Sequence, residues 1–184
     1  VAPCCGHEFL LPAFVQTVST SYNNGQRRAV ASFVASAHNW GMQFFNFHLM
    51  PYGAVDLDAI DRSKSSWVTF SNSNYDPVKG ADLYHRYLDE MEYAEELGFD
   101  GVCLNEHHQS AYGMMPIPGV LAGALARSLK RVKLAILGRA LPLLNNPLMV
   151  AEEYAMLDNL TRGRFIAGFV RGIGAEYHAT GINQ

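Results

Sequence analysis

The residues best suited to chemistry stand in three short runs, each at the end of an apolar stretch. The first is Asn105-Glu106-His107-His108-Gln109, directly after Gly101-Val102-Cys103-Leu104. Histidine exchanges a proton nearest neutrality, so His107 suits a general base and His108 a pocket wall beside it. Neighbouring side chains on extended backbone point to opposite faces, so Glu106 and His107 should face different surroundings. Zinc is the rival use of the same residues. Glu106, His107 and His108, joined by distant His178, would supply enough ligands, but no H-E-x-x-H, H-x-H or C-x-x-C spacing supports it. The second run is Leu137-Gly138-Arg139, where a glycine lets a flat ligand approach the backbone; a plain strand-to-loop turn running to Pro142 explains it equally well. The third is Val170-Arg171-Gly172-Ile173-Gly174, in which Arg171 offers a guanidinium to an anion or a carbonyl-rich ring. Gly172 and Gly174 begin a G-x-G-x-x-G, but Tyr177 occupies the third glycine position and the run follows a late strand, so a dinucleotide loop is rejected. His48, among the aromatics of 43–50, is a second candidate for a pocket wall, although a histidine in such a run is more often a hydrogen-bonded core residue.

These runs need elements to hold them. Residues 43–50 are aromatic-rich and stop at Pro51, which predicts a buried strand. The polar stretch from Gly53 to about Gly80 predicts a long loop. Asp82 is the expected cap of a helix whose apolar face is Tyr84, Tyr87, Leu88, Met91, Ala94 and Leu97, with Gly98 closing it. Further strands are expected at 101–105, 132–137 and 165–169, with helices marked by Val120, Leu121, Ala124 and Leu125, and by Leu148, Ala151 and Tyr154 after Pro147. A strand–helix alternation of about 30 residues is the period of βαβ units in a parallel sheet, and function in such sheets gathers at the C-terminal strand ends. A full (β/α)8 barrel needs eight units and about 250 residues. This α/β chain offers four, which reads as the N-terminal half of such a barrel. Residues 1–41 show no sustained period and are expected to be an irregular leader outside the core, with Met42 opening the folded part, 42–184.

Composition narrows the function classes. In 184 residues, 49% hydrophobic and 17% charged with a net charge of −3, no basic surface draws nucleic acid or anionic membrane. No apolar run approaches the ~20 residues of a membrane helix. Arg27-Arg28 before residues 29–37 loosely resembles a signal peptide, but the run is short, weakly apolar and internal. Cys4, Cys5 and Cys103 make a poor disulfide framework, so a reducing cytoplasm fits best.

Taken in order, Glu106-His107-His108 with Tyr112-Gly113 and Pro118, residues 136–142 with Asn146-Pro147, residues 151–158 with Thr161-Arg162-Gly163-Arg164-Phe165, and Gly168-Phe169-Val170-Arg171-Gly172 resemble the bacterial luciferase-like flavin monooxygenases across 42–183. The resemblance implies a barrel enzyme that uses reduced FMN, or in some members a deazaflavin, and molecular oxygen to oxidise a small organic substrate. Reduced flavin would come from a partner reductase or through NAD(P)H, and the subunits would pair as a dimer. It further implies that His107 is the base near the flavin ring and that Glu106 helps to hold the cofactor pocket. Leu137, Gly138 and Arg139 would lie against the ring, where the family often has a non-proline cis peptide. Arg171 would reach the flavin phosphate. Arg139 departs from the small or amide residue frequent there, and the phosphate loops usual after the seventh and eighth strands are absent. A metal-dependent hydrolase and a non-catalytic flavin-binding half-barrel remain as alternatives.

Overall fold

The computed structural model describes residues 13–16, 24–38 and 41–183. Five strands, β1 (Ala13–Gln16), β2 (Phe44–Phe47), β3 (Gly101–Leu104), β4 (Lys133–Ala140) and β5 (Phe165–Val170), form one sheet in chain order. Every neighbouring pair is parallel. The helices are α1 (Asn24–His38), α2 (Leu57–Arg62), α3 (Pro77–Glu96), α4 (Pro118–Ser128), α5 (Pro147–Thr161) and α6 (Gly174–Thr180). Parallel strands alternate with helices as the spacing predicts.

A parallel sheet is covered on both faces, and strand alternation assigns the side chains. Val102, Leu104, Leu134 and Ile136 are each 0% exposed in the larger cluster, with Met91 of α3, Leu121 and Leu125 of α4, and Tyr154 and Leu157 of α5. Cys103, Phe45 and Ala135 turn the other way into a small second cluster with Phe47, Leu137 and Ile166. Burial pushes the Cys103 thiol up to about 12, which leaves it an inert packing group. Cys4 and Cys5 lie outside the described residues. The outer side of β5 has no strand beside it among the described residues, and Phe169 and Val170 remain 55% and 45% exposed. No helix among the described residues is long and apolar enough to cross a membrane.

Several expectations change. Residues 13–16 and 24–38 are a strand and a helix rather than irregular chain. Tertiary contacts hold α1 despite its weak sequence period: Val34 is 1% exposed in the main core, Phe33 meets the Phe44 ring edge-on, and His38 Nε2 lies 2.9 Å from Asp100. α3 starts at Pro77 rather than at Asp82, because the Asp76 carboxylate accepts the amides of Val78 and Lys79 and proline at the first turn needs no partner. The stretch expected as loop holds α2, capped by Asp56, and a 3-10 turn at Asn72–Asn74. β4 does not end at Leu137 but runs on to Ala140, with a register shift against β5 between Ile136 and Arg139. At Gly98 the expected helix stop stands, with φ of 90°.

One clamp carries a pH prediction. The Glu95 carboxylate at the end of α3 accepts the amides of Lys130, Arg131 and Val132, which pins α3 to the entry of β4. Burial raises its pKa, but those amides and the Arg131 charge outweigh it and leave the carboxyl below its ordinary 4.5. The charged form is therefore favoured by folding, and its contribution is present above pH 4.5 and lost as pH falls through the lower folded value. Glu95→Gln should be about 1 kcal/mol less stable near neutrality, a modest figure because the site is largely solvated. Urea denaturation should show the gap closing as the pH drops below 4.5. A gap that stays constant with pH would contradict the clamp.

Candidate active site

The C-terminal ends of β2 to β5 open onto one cleft of about 270 Å³. Its walls include Phe47, Asn105, Leu137, Gly138, Arg171 and Glu176. His107 stands on its border, at the start of the loop that follows β3, where its amide donates to the Met115 carbonyl. The imidazole Nδ1 lies 3.0 Å from Glu176 Oε1. Glu176 is 2% exposed, and its Oε2 accepts the amide of Ile173 at the start of α6. An ionised carboxylate can only accept, so with Glu176 as carboxylate a neutral ring carries its proton on Nδ1 and presents the Nε2 lone pair. Tyr112 meets the imidazole edge-on at 5.0 Å, and Trp67 stands against Tyr112 at 4.6 Å. A second cleft, of about 290 Å³, lies beyond His107 and is walled by Tyr52, Phe70, Tyr75, Gln109 and Met114.

The structure sorts the residues expected at the site. His107, Leu137, Gly138 and Arg171 border the first cleft, and the Leu137–Gly138 peptide is cis. Arg171 is exposed at its rim, its carbonyl held by the Tyr177 hydroxyl. Glycine at 138 answers to β5 as well as to any ligand: a Cβ there would sit 3.0 Å from the Phe169 amide nitrogen. Glu106 also borders the cleft, but its oxygens are engaged by the protein. Oε1 is 2.9 Å from His108 Nε2, and Oε2 accepts Arg139 Nη1 at 3.2 Å and the Ala140 amide at 3.3 Å. Arg139 does not lie in the cleft. It is 5% exposed and paired with Glu106, because a buried guanidinium needs a carboxylate partner. His108 is likewise turned to Glu106 and away from the cleft. His48 is a core residue: Nδ1 accepts the Met50 amide, Nε2 is 3.1 Å from Glu90, and the ring packs on Tyr87. His178 is exposed on α6. Among the described residues no group of three His, Cys, Asp or Glu stands as metal ligands would.

Sequence reasoning gave no role to Glu176, Asn105 or Trp67. Glu176 carried a signal, an acid in the first turn of a short helix behind Arg171. Asn105 donates its amide to the His48 carbonyl, while its Oδ1 is buried without a partner. Such an orphaned acceptor is costly unless a ligand or water satisfies it.

Residues 64–182 match the luciferase-like monooxygenase family profile. Limonene 1,2-monooxygenase of Rhodococcus erythropolis is 34% identical over 84 residues, which are 46% of this chain and 21% of that protein. The alkanal monooxygenase beta chain of Vibrio harveyi is 37% identical over 82 residues, 45% of this chain and 25% of that one. A monooxygenase from Streptomyces bottropensis, known as a crystal structure, superposes on 76% of this chain and 36% of its own with a TM-score of 0.56 and 30% identity. The matched segments thus amount to about a quarter of the curated relatives' length. On the family match, which takes in β3 to α6 and every residue that borders the first cleft except Phe47, this chain belongs to the luciferase-like monooxygenase family.

Proposed function

We propose that this chain carries the flavin-facing and proton-handling part of a monooxygenase that uses reduced FMN and molecular oxygen to oxidise a small organic substrate. One observation carries the reading: His107, held by Glu176, and the exposed Arg171 border one cleft at the strand ends, together with Leu137 and Phe47. These residues suit the group. Leu137 and Phe47 offer an apolar wall to a flat ring, and Arg171 offers a cation to a phosphate. When bound, reduced FMN would supply the electrons with which oxygen attacks the substrate. His107 would hold or accept a proton at Nε2, and Glu176 would keep that nitrogen free to do so. A deazaflavin presents a similar flat ring and is the alternative cofactor.

In this reading residues 42–184 hold four consecutive βα units of a barrel, β2 to α6, preceded by β1 and α1. Reduced flavin comes from a reductase or through NAD(P)H, the subunit pairs as a dimer, and the setting is cytoplasmic. The exposed apolar side of β5 favours one second reading, a flavin-binding piece that turns over only when that side is covered.

A titration of FMN fluorescence tests the proposal. Saturable quenching by the 184-residue chain is expected. Arg171→Ala should weaken FMN about tenfold, or ~1.4 kcal/mol, and leave riboflavin unaffected. Absence of quenching, or equal loss for FMN and riboflavin, would remove Arg171 from the phosphate.

A further inference from the structure

His107 is a wall shared by two clefts of opposite character. The first has Arg171 at its rim and Glu106 and Glu176 in its lining. The second, between residues 70–75 and 109–116, has no Lys, Arg, Asp or Glu in its lining. Its body is aromatic and apolar: Tyr52 and Tyr75 have ring centroids 5.0 Å apart, and Phe70, Met114 and Pro116 complete the wall. Its phenols are largely used within the protein. The Tyr52 hydroxyl accepts the Asp76 amide, and the Tyr84 hydroxyl donates to the Met114 carbonyl. What remains for a ligand is a polar edge formed by the side chains of Asn72, Asn74, Gln109 and Ser110, and the His107 ring. The volume of about 290 Å³ is near the lower bound of small-molecule sites, roughly 300–1,000 Å³.

We infer that this second cleft is the substrate site, and that its ligand is an uncharged organic molecule with an aromatic or alicyclic body and one hydrogen-bonding group. A carboxylate or an ammonium entering here would give up hydration and meet no counter-charge, which costs more than the apolar contacts return. A neutral ring loses little hydration, stacks on the exposed Tyr75, and places its polar group against an amide. The two clefts thus divide by charge, with an anionic cofactor on the Arg171 side and a neutral substrate on the Tyr75 side. This assignment rests on the proposed flavin reading for the identity of the first occupant.

Three ligands of one size separate the outcomes: acetophenone, benzoate and benzylamine, each titrated into the chain and followed by amide chemical shifts. Acetophenone should shift residues 70–75 and 109–116 saturably, and benzoate should bind at least tenfold more weakly. Gln109→Glu and Asn72→Asp each place a carboxylate in the wall at an exposed position. Either should weaken acetophenone several-fold and strengthen benzylamine at least fivefold over the wild type. Benzoate binding as well as acetophenone, shifts confined to the Arg171 cleft, or no change in either variant would overturn the inference. FMN added to the same sample keeps the two readings apart. Acetophenone bound at residues 70–75 without any FMN shift would uphold this site and sink the flavin reading, whereas FMN shifts with no acetophenone binding would do the reverse.

Discussion

His107→Ala should lower the turnover of flavin-dependent oxidation by about 10²–10⁴-fold, the range a positioned general acid or base contributes, while FMN affinity changes less than about threefold. The asymmetry follows from geometry. His107 stands between the two clefts, so its Nε2 can reach a reacting group, whereas the cation suited to hold FMN is Arg171. Glu176→Gln keeps the shape of the buried side chain and removes the obligate acceptor from Nδ1. Turnover in that variant should fall between the wild type and His107→Ala, because part of the imidazole population would protonate on the wrong nitrogen. Nitrogen-15 shifts of the His107 ring supply a readout that a merely structural role would not move: proton on Nδ1 in the wild type, mixed tautomers in Glu176→Gln. Unchanged turnover in His107→Ala would remove it as the base, and an unchanged tautomer in Glu176→Gln would remove Glu176 as its positioning partner.

Legibility in the sequence tracked how local each signal was. The strands at 101, 133 and 165 and the helix behind Tyr87 and Met91 were readable because an apolar run or a three-and-four period lies within one element. The start of α3 was misplaced by a rival of the same kind, since Asp82 and Asp76 are equally good capping residues and only Pro77 distinguishes the second. α1 was not readable at all. Its order depends on tertiary contacts, Val34 in the main core, Phe33 on Phe44 and His38 on distant Asp100. The site divides in the same way. That His107 and Arg171 border the cleft is legible because residues just past strand ends gather at one face of a parallel sheet. Glu176 was missed because its partner is 69 positions away. The family resemblance puts Glu106 and Arg139 at the cofactor. The sequence does not show that a cation and a carboxylate 33 positions apart are buried against each other.

That burial fixes what replacing Glu106 should do, and separates a structural role from a binding one. Glu106→Ala strips the carboxylate from Arg139, whose side chain is 6% exposed, and leaves the Ala140 amide and His108 Nε2 without their acceptor. Removing one partner of a buried pair leaves the other charge uncompensated, at about 3–5 kcal/mol. Arg139 has little reserve, since its Nε is already buried without a hydrogen bond. Glu106→Gln should cost less, because one amide oxygen still accepts from Arg139 or Ala140 but cannot replace both carboxylate oxygens. Arg139→Met in the same chain should recover most of the loss, because the charge that Glu106 neutralised is gone and an apolar stem fills the space. Urea denaturation of the two single variants and the double variant measures the coupling directly. If Glu106 instead served mainly to grip the flavin, Glu106→Gln would weaken FMN with stability nearly intact, and Arg139→Met would rescue nothing. A loss below about 1 kcal/mol in Glu106→Ala would decide for that second role, since no buried cation left alone is so cheap.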